Sequence, residues 1–128
     1  MKLLLDTHTA LWWVNEHEKL SPKVKTLLLD ETHSLHISIV SAWEIAVKVS
    51  LGKLLGLNGG VRTFLAKMET MPIELLPVTT RHIEMVETLP FIHRDPFDRL
   101  LIAAAKVDGM TLLTADENIR KYDVLSVW

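Results

Sequence analysis

The chain has 128 residues, 48% of them hydrophobic, and a formal charge of −2 from 14 Lys and Arg against 16 Asp and Glu. That length and apolar content fit one globular domain, residues 1–128, with a core of its own. The absence of cysteine excludes disulfides, thiolate zinc sites and a cysteine nucleophile and fits a cytoplasmic protein, while no apolar run approaches the ~20 residues of a membrane span.

Leu3-Leu4-Leu5 is too short for the apolar stretch of a signal peptide and runs straight into Asp6. Residues 2–5 read instead as a short buried strand. A helix from about Thr7 carries Leu11, Trp12 and Val14. Ser21-Pro22 predicts the next helix start, with Ser as N-cap and Pro at the first helical position; that helix ends near Glu31. Leu35–Ser38 reads as a second strand. Ser41 opens a helix to about Leu51, and Gly52 stops it. Residues 53–60 are irregular, and helix returns over 61–70. Pro77 limits 73–78 to a short strand or an extended segment. A helix over 80–89 stops at Pro90. Asp95-Pro96 opens a helix to about Val107, closed by Gly109. Residues 111–114 form a strand, 117–121 a short helix and 124–127 a last strand.

Strands alternating with helices predict a three-layer α/β/α sandwich around a mostly parallel sheet of about four to five strands. Leu4, Ile37, Ile45, Leu101, Ala105, Leu113 and Val127 are its expected core.

Four carboxylates fall where such a fold gathers its functional groups. Asp6 and Asp116 close the strand-like runs 2–5 and 111–114, and Glu44 and Asp98 lie in the first turns of predicted helices. Ligands of open α/β sheets bind outside the carboxyl ends of the strands. Crowded carboxylates resist ionisation unless a cation joins them, and hard cations such as Mg²⁺ prefer oxygen. A divalent-metal site acting on phosphate esters follows.

Each acid alone has an ordinary explanation. Asp6 and Asp116 are natural N-caps, although Thr7 could cap the first helix and free Asp6. Ser41-Ala42-Trp43-Glu44 fits a capping box, and Asp95-Pro96-Phe97-Asp98 puts an acid three residues after a cap. Asp95 is best read as that cap. Thr114 is either a plain strand hydroxyl or a group that orients a water or carboxylate.

A negative chain that binds nucleic acid must place its basic residues locally, and two divalent ions would bring −2 to +2. Lys48, Lys53, Arg62, Arg94, Arg99, Arg120 and Lys121 are candidates, with Arg94, Arg99 and Lys48 taken as the substrate-binding set. His93-Arg94 could hold phosphate. His33 and His36 straddle a strand start and do not read as a zinc pair. Trp12, Trp13 and Trp43 read as core or interface aromatics, with Trp12, Trp13 and 53–60 as candidate dimer surface.

Four segments together resemble the PIN domains, and within them the VapC-type ribonuclease toxins. They are Leu5-Asp6-Thr7, Ser38-Ile39-Val40-Ser41-Ala42-Trp43-Glu44, His93 through Ala105, and Leu113-Thr114-Ala115-Asp116. The resemblance spans nearly the whole chain, and the third segment in this order is its most specific mark. It implies four acids in one pocket, matching Asp6, Glu44, Asp98 and Asp116, with Thr114 as a supporting hydroxyl and Ser41 and Thr7 adding polar contacts. It also implies Mg²⁺ or Mn²⁺, an RNA substrate, a homodimer, and a cognate antitoxin whose C-terminal segment enters the active-site groove. Asp95 has no place in the pattern.

The expected chemistry is metal-dependent phosphodiester hydrolysis leaving 5′-phosphates, with Asp6, Asp98 and Asp116 as metal ligands and Glu44 completing the shell or orienting water. A non-cleaving RNA- or protein-binding module would have no use for the acidic cluster. A small-molecule phosphatase would normally form an aspartyl-phosphate, and no Asp lies two residues after Asp6 to assist one.

Overall fold

The computed structural model describes residues 1–54 and 57–128. In chain order the elements are β1 (Lys2–Leu5), α1 (Thr7–Asn15), a 3-10 turn (His17–Lys19), α2 (Pro22–Leu29), β2 (Ser34–Ser38), α3 (Ile39–Ser50) and α4 (Gly60–Glu69). Then come β3 (Glu74–Leu76), α5 (Thr80–Thr88), α6 (Pro96–Asp108), β4 (Thr111–Leu113), α7 (Glu117–Arg120) and β5 (Ser126–Val127). The five strands form one sheet in the order β3-β2-β1-β4-β5, with every pairing parallel.

The alternation of strand side chains separates two cores. Leu3, Leu5, Leu35, Ile37 and Leu113 pack against Ala10 and Trp13 of α1, Val24 and Leu28 of α2, and Phe64 and Met68 of α4. Leu4 and Leu112 point the other way, toward Leu101 and Ala105 of α6, Ile119 of α7, and the half-buried Met85 and Val86 of α5. The chain is therefore a three-layer α/β/α sandwich. Strands covered on both faces read as continuous apolar runs, which is why 2–5 and 111–113 are so rich in Leu. Of the expected core, Leu4, Ile37, Ile45, Leu101, Ala105 and Leu113 are buried. Val127 is only half-buried, because β5 is an edge strand paired to β4 alone.

Helix ends follow local chemistry. Ser21 caps α2 with Pro22 behind it, and Gly109, in the left-handed region at φ 65°, ends α6. α2 stops at Leu29, two residues short of the expected Glu31. The start of α3 also differs: it begins at Ile39, capped by Ser38, whose hydroxyl accepts from the Val40 N–H. Two serines three apart both satisfy the N-cap rule, and the one ending β2 wins. Ser41 is thereby left inside the helix. Of 53–60, the described residues are irregular up to α4, while Leu55 and Gly56 lie outside the described residues. No helix among the described residues is long and apolar enough to cross a membrane.

The strand order matters for the site. From β1 the chain runs out to β2 and β3 on one side, then returns to lay β4 and β5 on the other. The order reverses between β1 and β4, and the crevice beyond their carboxyl ends is where this architecture binds ligands. The next residues there are Asp6 and Thr114, in register because Leu5 pairs with Leu113.

Candidate active site

Asp6 is 4% exposed, its carboxylate held at both oxygens. Oδ1 accepts from the Thr9 N–H at 2.7 Å, so Asp6, not Thr7, is the N-cap of α1. Oδ2 accepts a short hydrogen bond from the Thr114 hydroxyl. Thr114 Oγ1 in turn accepts from the Asp116 N–H at 3.0 Å, tying the two strand-end acids through one threonine. Burial pushes the Asp6 carboxyl above its ordinary value, and the hydrogen bonds from Thr114 and Thr9 only partly offset it. Asp6 and Asp116 line a cavity of about 240 Å³ with His8, Trp12 and Ala115.

Glu44 is 2% exposed and engaged at both oxygens. Thr7 donates to Oε1 at 2.7 Å, with Ser41 Oγ 2.9 Å from the same Thr7 hydroxyl. Lys48, one turn along α3, donates to Oε2. With α3 starting at Ile39, the capping box expected of Ser41 and Glu44 does not form; both turn toward Thr7 instead. For Lys48, burial works against the charge, but the hydrogen bond and attraction of Glu44, with Asp95 and Asp98 adding to it, raise the ammonium above its ordinary value. Lys48 therefore sits as a cation among the acids.

Asp98 stands in the first turn of α6, where the Asp95 side chain accepts its N–H at 3.0 Å and caps the helix. The Asp98 side chain does not reach back toward that cap. Its Oδ2 lies 3.1 Å from His93 Nε2, within hydrogen-bond distance. Burial, with repulsion from Asp95, pushes its carboxyl up to about 7; His93 pulls the other way, and Glu44 and Asp116 add to the rise. Asp116 caps α7 through Oδ1, which accepts from the Asn118 and Ile119 N–H groups. Asp98 Oδ1 and Asp116 Oδ2 have no hydrogen-bond partner among the described residues and are not buried.

Asp6 and Asp116 are thus joined through Thr114, and Asp98 feels the charges of Asp95, Glu44 and Asp116. Among the described residues no three acid or histidine side chains stand ready-made as a metal cage. An all-oxygen set with two free carboxylate oxygens nevertheless fits Mg²⁺, which keeps several waters and needs only one or two carboxylates.

The PIN domain family model matches residues 3–125. The chain belongs to the PIN domain family. Among solved structures, this PIN domain resembles a chain of VapBC2 from Rickettsia felis, crystallised with a fragment of its promoter DNA. There the TM-score is 0.77 at 18% identity, over 100% of this chain and 99% of that one. DNA-bound VapBC from Salmonella typhimurium gives 0.70 at 16% identity over 100% and 97%, and VapBC-1 from nontypeable Haemophilus influenzae 0.69 at 15% over 99% and 97%. These identities speak for the fold. No curated protein matches the sequence.

Two basic residues of this PIN domain behave differently from expectation. Arg99 is turned into the fold. It is 5% exposed, and its guanidinium donates to the carbonyls of Pro90, Val86 and Leu89 and to the Tyr122 hydroxyl, stacked 4.3 Å over the Phe91 ring. It fastens the C-terminal end of α5 and the following loop onto α6. Arg99→Met is expected to destabilise the fold by roughly 2–4 kcal/mol in urea unfolding, because several buried acceptors lose their donor together. His93 is engaged at both ring nitrogens: Nδ1 lies 2.9 Å from Tyr122 Oη and Nε2 faces Asp98. Arg94 is exposed and has no hydrogen bond or ion pair among the described residues. It lines an apolar cleft of about 1210 Å³ with Trp43, Ile83, Phe91 and Ile92.

Trp13 is in the core, so it offers no dimer surface; Trp12 is half-buried, edge-on to Trp128 at 5.6 Å. Sequence reasoning missed Tyr122. Its contact with His93 spans 29 residues, and no local pattern marks it. The only signal is that it is the one tyrosine of the chain.

Proposed function

We propose that this PIN domain is a divalent-metal-dependent endoribonuclease and the toxin of a toxin–antitoxin pair. What supports it is that Asp6 is tied through Thr114 to Asp116 at the reversal of strand order, and that Asp98 is held so far above its ordinary pKa, with Asp95, Glu44 and Asp116 adding to the rise, that a cation is the natural complement. PIN domains are typically nucleases that use divalent ions, and the chain retains an acid at each of the four positions.

Asp98 and Asp116 would offer free oxygens to Mg²⁺ or Mn²⁺, with the buried Asp6 beside Asp116 completing the acidic set. Bound there, the ion supplies charge neutralisation at the scissile phosphate and acidifies an attacking water. The residues do the rest. Thr114 fixes the Asp6 carboxylate, and Thr7 and Ser41 fix Glu44. Glu44 holds Lys48 at the mouth, where the ammonium can meet a phosphate oxygen. Because Lys48 occupies Glu44 Oε2, Glu44 acts as a positioning group first and a ligand only through Oε1.

Arg94 is the other proposed phosphate contact. Arg94→Ala is expected to weaken binding of single-stranded RNA regardless of sequence, and to reduce the salt dependence of log Kd by about one ion. An unchanged salt slope removes Arg94 from the interface.

The reading includes a second copy of the chain and an antitoxin. The VapBC structures that the chain resembles are themselves complexes, and Trp43, Ile83, Phe91 and Ile92 are exposed apolar surface of the kind such partners cover. The deciding experiment is cleavage of total RNA with Mn²⁺ or Mg²⁺, beside EDTA and Asp6→Asn controls, with product ends sequenced. Discrete 5′-phosphate ends that vanish in both controls are expected. Ends carrying 2′,3′-cyclic phosphate would rule the mechanism out.

A further inference from the structure

The environment of Tyr122 settles where its proton goes. Tyr122 is 4% exposed. Its oxygen receives the Arg99 Nη1–H at 3.1 Å and the His93 backbone N–H at 3.2 Å, which occupies it as an acceptor. One phenolic proton remains. It has two acceptors within reach: His93 Nδ1 at 2.9 Å and the His93 carbonyl at 3.4 Å. The imidazole is the closer, so Tyr122 donates to Nδ1. A neutral histidine that accepts at Nδ1 carries its proton on Nε2. That N–H faces Asp98 Oδ2 at 3.1 Å. The chain Arg99, Tyr122, His93, Asp98 therefore runs in one donor direction, each member turned by the one before it.

We propose that Tyr122 and His93 are positioning residues for the cation site: they fix the imidazole as the Nε2–H tautomer, pin Asp98 by Oδ2, and so leave Oδ1 turned out for a divalent cation. This rests on the reading of Asp98 as a metal ligand. The same segment explains the arrangement's rigidity. Residues 90–94 have no helix or strand of their own, and Arg99 clamps their start through Pro90 while Tyr122 clamps His93 at backbone and ring. Outer partners of ligating groups commonly change metal affinity by about 10–100-fold when removed.

The test is Mn²⁺ affinity of the full chain, by calorimetry, for wild type, Tyr122→Phe, His93→Gln and His93→Leu. His93→Leu should weaken binding by about 10–100-fold. His93→Gln, which can still donate toward Oδ2, should recover much of that loss. Tyr122→Phe should weaken binding less than His93→Leu. Imidazole ¹⁵N shifts give a second readout that a purely structural role would not move. Wild type should show a single Nε2–H tautomer for His93, and Tyr122→Phe a mixture. Folded variants that bind Mn²⁺ as tightly as wild type overturn the relay alone, whatever their stability. A wild type that binds no Mn²⁺ overturns the metal-site reading, and the relay's purpose with it. Mn²⁺ binding with relay-dependent affinity but no RNA cleavage keeps the relay and rejects the nuclease.

Discussion

Asp98→Asn and Asp6→Asn should each abolish cleavage while leaving a folded protein that, without metal, is at least as stable as wild type near neutral pH. The second half of that expectation is what separates a functional acid from a structural one. Asp98 is partly buried among Asp95, Glu44 and Asp116, and its carboxyl is pushed up to about 7. Amidation removes that repulsion and keeps an oxygen to accept from His93. Allowing for partial exposure to solvent, the gain is roughly 1 kcal/mol. Asp6 is similar: burial raises its carboxyl, and Asn caps a helix as well as Asp does, so the Thr9 contact survives. Cleavage depends on the charge. Losing several kcal/mol of transition-state stabilisation corresponds to a fall on the order of 10³-fold or more. The measurements are single-turnover cleavage and urea unfolding in EDTA. An Asp98→Asn protein that loses about 1 kcal/mol and cleaves normally would make Asp98 a helix-end residue and nothing more.

The same residues show what could be read from the chain in advance. Asp6 and Asp116 were legible because an apolar run with a polar stop marks a buried strand and its end. Parallel strands then put those ends on one edge. The pairing of Glu44 with Lys48 is an i,i+4 contact on a helix face, so it too is local. Glu44's partner across the fold is Thr7, 37 residues away, and only the sheet order brings them together. Ser38 and Ser41 could not be told apart, since both precede an apolar helical run. The difference of one turn decides whether Glu44 caps its own helix or turns into the pocket. The burial of Arg99 is illegible for a related reason. An arginine beside an acidic motif looks like a phosphate ligand, but the carbonyls it satisfies belong to the end of α5, and their exposure depends on how α5 packs on α6. Tyr122 gives no local sign because its partners, His93 and Arg99, lie 29 and 23 residues away.

Divalent-ion affinity should rise with pH and release a proton on binding, and Asp98→Asn should remove most of both effects. Asp98 titrates near 3.8 in an unfolded chain and at about 7 in the folded one. Between those values the folded protein holds a proton that the unfolded chain has given up. Stability contributed by this group is therefore complete below about pH 4, falls as pH rises toward 7, and is flat above. Asp6, also raised, acts in the same sense. A cation competes with that proton for the same carboxylate. Below about pH 7, apparent affinity should climb about tenfold per pH unit for each proton displaced, then level off. Metal-free protein thus loses stability toward neutral pH, while saturating Mn²⁺ reverses the slope, because the ion replaces the proton as the partner of a charge that burial penalises. Calorimetric titration in two buffers of different ionisation enthalpy counts the protons directly. Affinity that stays flat from about pH 5.5 to 8, with no proton released, would place the cation away from Asp98 and leave its raised carboxyl a property of the helix end.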